Sequence, residues 1–112
     1  MVLIRFTLEP GATIRLHSHS GPAVFTVISG ALTTELVRGG ATIDREGVEE
    51  SAEIGATIDL SDGETIAFAP NAGKTIENHS TVPLLLVASL LLKTNEPIFA
   101  YDSWPPPHTS AR

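Results

Sequence analysis

The sequence predicts one all-β domain. Short segments rich in Val, Ile, Thr and Phe recur between glycine, proline and Asp or Asn turn signals, a pattern typical of a β-sandwich or barrel. No long amphipathic helical pattern interrupts them. The length of 112 residues, the 42% apolar content and the 18% charged content suit one folded unit with its own core.

The strands are predicted in order along the chain, each bounded by turn residues. They cover residues 3–8, 13–19, 24–29, 32–37, 41–45, 56–60, 65–69, 74–78 and 84–92. Turns are predicted at Pro10-Gly11, Gly21-Pro22, Gly39-Gly40, Asp62-Gly63 and Pro70-Asn71. The letters GATI recur at Gly11, Gly40 and Gly55 with uneven spacing, which indicates a repeated glycine turn before a strand and excludes a solenoid.

Two segments fall outside this strand pattern. The acidic stretch REGVEESAEIG, residues 45–55, is predicted to be a solvated loop or a short helical turn, because charge runs usually face water. The barrel domain is expected over residues 1–95, followed by an aromatic and proline-rich tail over 96–112. Residues 105–107 should be extended polyproline. The apolar and aromatic tail residues could pack on the domain or on a second subunit; they are Ile98, Phe99, Tyr101 and Trp104.

Charge and composition exclude several classes of function. The net charge of −6, without a run of Lys or Arg, argues against binding to nucleic acid or to a membrane surface. Without cysteine, the chemistry must come from His, carboxylates, Lys or Arg. The first ten residues contain too few apolar side chains for a secretion signal, and the apolar run 83–93 is too short to span a bilayer. A cytoplasmic location is therefore expected.

His17 and His19 are the candidate functional residues. Strand alternation predicts that Arg15, His17 and His19 share one face with Thr13, while Ile14 and Leu16 point the other way. Such a polar face either meets water or lines a pocket inside a barrel. Two His at this spacing can reach one metal ion, but a third ligand must come from a neighbouring strand. The spacing alone leaves these possibilities open.

The residues around the two histidines resemble the first motif of the cupin superfamily. Gly11 is followed after five residues by His17-x-His19, after three more by Ala23, and after six more by Gly30. The spacings of the motif are kept, and Ala23 stands where the motif has Glu. The resemblance covers most of the chain, from about residue 8 to residue 92. It implies a small single-domain cupin, which is a jelly-roll β-barrel.

A second stretch, GETIAFAPNAGKTIEN, resembles the second cupin motif. Gly63, Pro70 and Asn78 occur in the order of that motif, and Lys74 takes the place of its His. In metal-binding cupins the ligands would by position be His17, His19, Ala23 and Lys74, of which the last two are unsuitable. The resemblance therefore implies no cofactor, or a weakly bound divalent metal on His17 and His19.

An alternative register would move the loop before Lys74 by one residue. Thr75 would then hold the motif position, and Glu77 or His79 would have to turn inward to supply a ligand. Strand parity opposes this arrangement, since it places both residues opposite Lys74, and His79 is predicted to lie in a turn instead.

The predicted site is a small-molecule pocket inside the barrel. His17, His19 and Lys74 are the candidate catalytic residues, and the candidate substrate-binding residues are Arg15, Phe25, Phe68 and Asn78, with Val24 and Ile66 completing an apolar wall. Arg15 could hold a carboxylate, and a His can move a proton near neutral pH. Apolar or cationic surroundings would lower the pKa of Lys74 and make it a base or nucleophile. Alternatively, its ammonium reaches out to water.

Three functions remain open, so the sequence does not decide whether the protein is an enzyme. The first is a metal-free lyase or isomerase acting on an anionic or carbonyl substrate. The second is a metal-dependent oxygenase or isomerase with a reduced two-His site, and the third is a non-catalytic ligand binder. The resemblance also suggests a homodimer, with Ile14, Leu16 and the aromatic tail as candidate contacts.

Overall fold

The computed structural model describes residues 1–91 and 100–101. Within them the chain forms strands joined by turns. The strands are β1 (Val2–Leu8), β2 (Thr13–Ser18), β3 (Ala23–Ser29), β4 (Leu32–Arg38), β5 (Ala41–Arg45), β6 (Val48–Ser51), β7 (Thr57–Leu60), β8 (Thr65–Phe68), β9 (Gly73–Glu77), β10 (Leu84–Leu90) and β11 (Ala100–Tyr101). In this part of the chain no helix is long and apolar enough to cross a membrane.

The strands build two antiparallel sheets that enclose the core. The six-stranded sheet has the order β1-β10-β3-β8-β5-β6, and the five-stranded sheet has the order β11-β2-β9-β4-β7. Successive strands therefore alternate between the sheets over much of the chain, as in a jelly roll. The predicted fold class is confirmed, and the five predicted turns all fall between strands.

The core lies between the two sheets. In β10 the alternate residues Leu84, Leu86, Ala88 and Leu90 are buried, although the sequence of this strand is almost continuously apolar. In β3 and β8 the same alternation buries aromatic side chains next to one another. Because each strand turns one face inward, the second face of the six-stranded sheet stays outside the core.

The acidic segment contains a strand that the sequence analysis missed. β6 pairs with β5 through a two-residue turn in which Glu46 and Gly47 have φ values of 53° and 84°. Two positive φ values are the geometry of a type I′ hairpin, which continues the twist of its flanking strands. The four residues of β6 are exposed. The expected solvation of these residues is therefore correct, and the expected loop or helical turn is wrong for residues 48–51, while residues 52–55 do form a loop.

The end of the chain is described only in part. β10 ends at Leu90 rather than at residue 92, and the backbone of β11 pairs with β2, placing Tyr101 opposite His17. The predicted domain boundary after residue 95 lies outside the described residues, as do the polyproline at 105–107 and the packing of Ile98, Phe99 and Trp104.

Candidate functional site

His17 and His19 lie inside the barrel at the end of β2. Their side chains are 3% and 4% exposed, so they turn away from water as the pocket interpretation predicts. The two rings meet edge to face, with their centroids 5.2 Å apart and an interplanar angle of 86°. The carbonyl of His19 accepts the N–H of Asn71 at 2.8 Å. This bond ties the turn before Lys74 to the end of β2.

A break in the register of β2 determines which side chains face inward. Ile14 pairs with Ile76, but His17 pairs with Lys74, so that Arg15 and Leu16 together oppose Thr75. Such a β-bulge adds one residue to one strand and reverses the alternation beyond it. Ile14 and His17 consequently share the inner face, although they are three residues apart.

The bulge corrects two expectations of the sequence analysis. Arg15 is exposed, and Ile14 lines the same cavity as the two histidines. Strand alternation without a bulge had placed Arg15 on the inner face and Ile14 on the outer face. The structure thus separates Arg15 from the imidazoles, and no guanidinium belongs to the described cavity wall.

The backbone of the bulge also orients His17. Nδ1 of His17 donates a hydrogen bond to the carbonyl oxygen of Arg15 at 2.8 Å. A carbonyl can only accept, so Nδ1 carries the proton, and in the neutral ring Nε2 is the acceptor nitrogen. His17 can therefore take a proton or a hydrogen bond at Nε2.

A cavity of about 210 Å³ opens beside the two imidazoles. The sheets enclose it where β1, β2, β3 and β10 come together, and the other lining residues among those that the structure describes are apolar. The lining residues are Ile4, Phe6, Ile14, His17, His19, Phe25, Ala88 and Leu90. Of the predicted apolar wall only Phe25 belongs to this lining. Val24 faces outward at 36% exposure, and Ile66 is buried in the core.

Sequence reasoning missed the half of this cavity supplied by β1 and β10. The alternation of Ile4 and Phe6 with exposed residues in β1 was visible in the sequence and marks an inward face. That these residues meet His17 depends on strand pairing across the whole chain, which the local pattern does not contain.

Lys74 is buried beneath the aromatic part of the core. It is 1% exposed, it pairs with His17 across β9 and β2, and its Nζ lies 4.8 Å from the ring centroid of Phe68. Nζ also donates to the carbonyl of Ala72 at 3.4 Å. The ammonium therefore does not reach out to water, and that alternative is wrong.

Aromatic contacts connect Lys74 with the histidines. Phe68 meets Phe25 edge to face at 5.7 Å, and Phe25 lies 6.2 Å from His19, both measured between ring centroids. Lys74 itself is not among the residues that line the cavity. The structure thus brings the three candidate catalytic residues and the two phenylalanines into one buried group.

Asn78 lies next to this group but has a different environment. Its Nδ2 donates to the carbonyls of Leu8 and Val82 at 2.9 and 2.8 Å. Its Oδ1 accepts from the backbone N–H and the hydroxyl of Ser80 at 3.0 and 2.7 Å. All four hydrogen-bonding positions of the amide are therefore used within the protein.

The alternative register at the second motif is not adopted. Nε2 of His79 lies within hydrogen-bond distance of Oε1 of Glu77, at 2.6 Å, on the outside, where the His79 side chain is 64% exposed and that of Glu77 is 21% exposed. Neither turns into the barrel.

A comparison with known families agrees with the motifs and the fold. The family model of the cupin domain matches residues 4–90. The chain belongs to the cupin family. This match includes both motif regions and the strands that line the cavity.

Solved structures with the same fold include oxalate decarboxylases and the cupin domain of CENP-C. This cupin resembles oxalate decarboxylase from Lactobacillus farciminis, with 17% identity, a TM-score of 0.56 and coverage of 77% of this chain and 22% of that one. The Bacillus subtilis oxalate decarboxylase, whose structure was described for its Mn(II) centres, shows 22% identity, a TM-score of 0.57 and coverage of 88% and 23%. The Drosophila melanogaster CENP-C cupin domain shows 14% identity, a TM-score of 0.56 and coverage of 80% and 59%.

The cupin described here spans about a quarter of the length of the oxalate decarboxylases, and less than two thirds of the CENP-C chain. At these identities the likeness concerns the fold. The activities of those proteins are therefore not assigned by it.

The donor set of this cupin does not fit the four-ligand metal site that its motifs would otherwise imply. Ala23 is fully buried and carries only a methyl group, and Lys74 offers a buried amine that in its protonated form repels cations. Among the described residues no group of three His, Asp or Glu side chains could hold a metal ion. Two imidazoles remain at this site.

Proposed function

We propose that this cupin binds a small, mainly apolar molecule in the cavity beside His17 and His19. The cavity itself carries the proposal, because six apolar side chains and two imidazoles enclose about 210 Å³. An apolar cavity of about 150 Å³ accepts benzene. A benzene-sized ring with one small substituent therefore matches this space, and an imidazole can hydrogen-bond to the substituent.

Arg15 does not line the cavity, so we do not propose the anionic ligand that the sequence suggested. A carboxylate placed among apolar side chains loses its hydration and needs a compensating cation. Histidine supplies such a charge only when protonated, which in an apolar environment is disfavoured. A neutral ligand with a hydroxyl or carbonyl group is therefore favoured over an anion.

Binding of phenol, toluene and benzoate would test this proposal. We expect chemical-shift changes of backbone amides around the cavity on titration with phenol, and binding of benzoate weaker by roughly tenfold because the charge is desolvated. Ala88→Phe should fill the cavity and remove the response. His79→Gln, which changes an exposed histidine, is the matched control. Shifts that avoid the cavity lining, or that survive Ala88→Phe in a folded protein, would contradict the proposal.

A second candidate is a metal-free lyase or isomerase that acts on a carbonyl substrate with His17, His19 and Lys74. The buried position of Lys74 opposite His17 favours it. Its amine would add to the carbonyl carbon, and the carbinolamine would lose water to give an imine. A neighbouring imidazole would move the protons.

Trapping of the imine would decide between catalysis and simple binding. The protein is incubated with benzaldehyde near neutral pH and reduced with borohydride, and the modified lysine is identified by mass spectrometry. Selective labelling of Lys74, lost in Lys74→Met, would support the enzyme. Equal labelling of Lys74 and Lys93, the second lysine of the sequence, would leave the ligand-binding function.

The metal-dependent reading is the least supported by the residues present. Oxalate decarboxylation is therefore not extended to this chain, since positions 23 and 74 lack ligands and Arg15 lies outside the cavity. The two imidazoles of His17 and His19 could by themselves hold a divalent metal only weakly.

A further inference from the structure

The outer face of the six-stranded sheet has an unusual distribution of side chains. Its middle row runs across five strands as Arg5, Val87, Thr26, Thr65 and Asp44, according to the strand register. A hydrogen bond of 3.1 Å between the hydroxyls of Thr26 and Thr65 shows that these two side chains share the face. The row thus carries one positive and one negative charge at opposite ends, with uncharged residues between them.

The adjacent row runs in the same direction as Leu3, Ser89, Val24, Ala67 and Thr42. Leu3 is 66% exposed and Val24 is 36% exposed. The larger apolar side chains of the two rows therefore lie in β1, β10 and β3, as Leu3, Val87 and Val24, and smaller side chains lie in β8 and β5.

A concavity occupies the side with the smaller residues. An open depression of about 450 Å³ lies over β5, β6 and β8, and its lining includes Gly40, Thr42, Ala67 and Ala69. Near the opposite edge of the same face, beside β1, Leu3 and Met1 protrude with exposures of 66% and 87%. The face therefore carries both a protrusion and a depression.

We propose that this face is the interface of a homodimer, with a second copy of the chain as its partner. Closed dimers use the same patch on both subunits, and stacked sheets keep their strands within about 30° of each other. A two-fold axis parallel to the strands and through β3 places β1 over β5 of the second copy. Leu3 then meets the depression, and Arg5 meets Asp44 of the second copy.

Charge decides between the two possible directions of the axis. An axis perpendicular to the strands would place β1 over β1, bringing Arg5 of one copy near Arg5 of the other. Like charges across an interface are unfavourable, whereas the first arrangement forms an Arg–Asp pair at each side. The proposal is independent of the ligand in the cavity. Ile14 was expected from the sequence to be a dimer contact, but it lines the cavity and is not part of the proposed interface.

Sedimentation equilibrium of purified protein tests the proposal. The wild type should approach twice the chain mass of 11.8 kDa at about 200 µM. Leu3→Glu and Arg5→Glu should each raise the dimer dissociation constant by roughly tenfold or more. Ile54→Glu, at an apolar residue that is 65% exposed but lies outside this sheet, should leave the dissociation constant unchanged.

A compensating variant separates this interface from any other. Arg5→Glu combined with Asp44→Arg should recover most of the lost association, because the charge pair is reversed. Asp44 also accepts the Gly47 N–H at 2.9 Å, so Arg5→Glu with Asp44→Asn serves if the first pair fails to fold, and it should relieve the repulsion partly. A monomeric wild type, or a dimer that is insensitive to Leu3→Glu and Arg5→Glu, would overturn the proposal.

Discussion

A buried asparagine either recognises a ligand or joins segments of the chain, and its hydrogen bonds distinguish these roles. Asn78 was predicted to bind substrate. In the structure its amide links the end of β1 at Leu8 to the loop at Ser80 and Val82. Its full set of protein partners therefore supports a structural role.

Asn78→Ala is expected to lower the free energy of unfolding by about 2–3 kcal/mol, because it removes all four hydrogen bonds of the amide and leaves the buried carbonyl of Leu8 without this donor. Urea denaturation of both proteins measures this loss. The folded variant should bind phenol with the wild-type affinity. A loss of affinity without a loss of stability would restore the substrate-binding role of this residue.

The positions of Ala23 and Lys74 offer a second test at the scale of single residues. Protein washed with chelator should hold well under one equivalent of zinc, iron, nickel or copper, because two imidazoles form a weak site. Ala23→Glu combined with Lys74→His should increase the affinity for divalent metal by roughly tenfold or more. Calorimetric titration measures the gain.

The same double variant with His17→Ala is the control, and it should lose that gain. If the double variant folds and binds metal no better than the wild type, positions 23 and 74 do not face the two imidazoles. Near-stoichiometric metal in the washed wild type would instead show that two histidines suffice with other ligands.

At the scale of the elements, the β5–β6 hairpin shows how a turn can form with an unfavourable residue. Glu46 has a φ of 53°, which is left-handed, and it begins a two-residue turn before Gly47. Asn-Gly is strongly preferred in this turn because asparagine tolerates the left-handed region. The carboxylate of Asp44 compensates in part by accepting the Gly47 N–H.

Glu46→Asn is therefore expected to stabilise the protein by roughly 0.5–1 kcal/mol, because it relieves backbone strain at an exposed site. Thermal and urea unfolding measure the change. Glu46→Gln removes the same charge without improving the turn preference, so it should have little effect. Equal stabilisation by both variants would assign the gain to charge instead of backbone conformation.

At the scale of the whole molecule, the stability of the barrel should depend on pH through Glu64. Its carboxylate accepts the Ser61 N–H at 2.8 Å and pairs with Arg45 at 2.9 Å, which joins the β7–β8 turn to β5. The hydrogen bond from the Ser61 backbone, assisted by the Arg45 charge, holds the pKa of Glu64 below its ordinary value of 4.5 despite partial burial.

The direction of the pH effect follows from proton linkage. With a lowered pKa, the folded state binds fewer protons than the unfolded state, so the contribution of Glu64 is complete above 4.5 and is lost as the pH falls through its folded pKa. Glu64→Gln should therefore lose less stability than the wild type between about pH 5 and pH 3. Glu53→Gln is the control, and an acid response identical to the wild type in Glu64→Gln would contradict the assignment.

The sequence by itself determined the β architecture, most strand positions and, through the motif spacing, the choice of His17 and His19 as candidate site residues. Alternation, turn residues and motif spacing are local properties, so they can be read without knowing which strands pair. Lys74 was also singled out by its spacing within the second motif. Its burial beside Phe68 agrees with its place there.

Only the tertiary structure decided which residues surround the histidines. The bulge at Arg15 and Leu16 depends on how β2 pairs with β9, and it reversed the face on which Arg15 was expected. Ile4 and Leu90 reach the cavity because β1 and β10 pair beside β3, far from them in sequence. Strand pairing is a non-local property with a register that a single inserted residue can change, so the periodicity of one strand does not contain it.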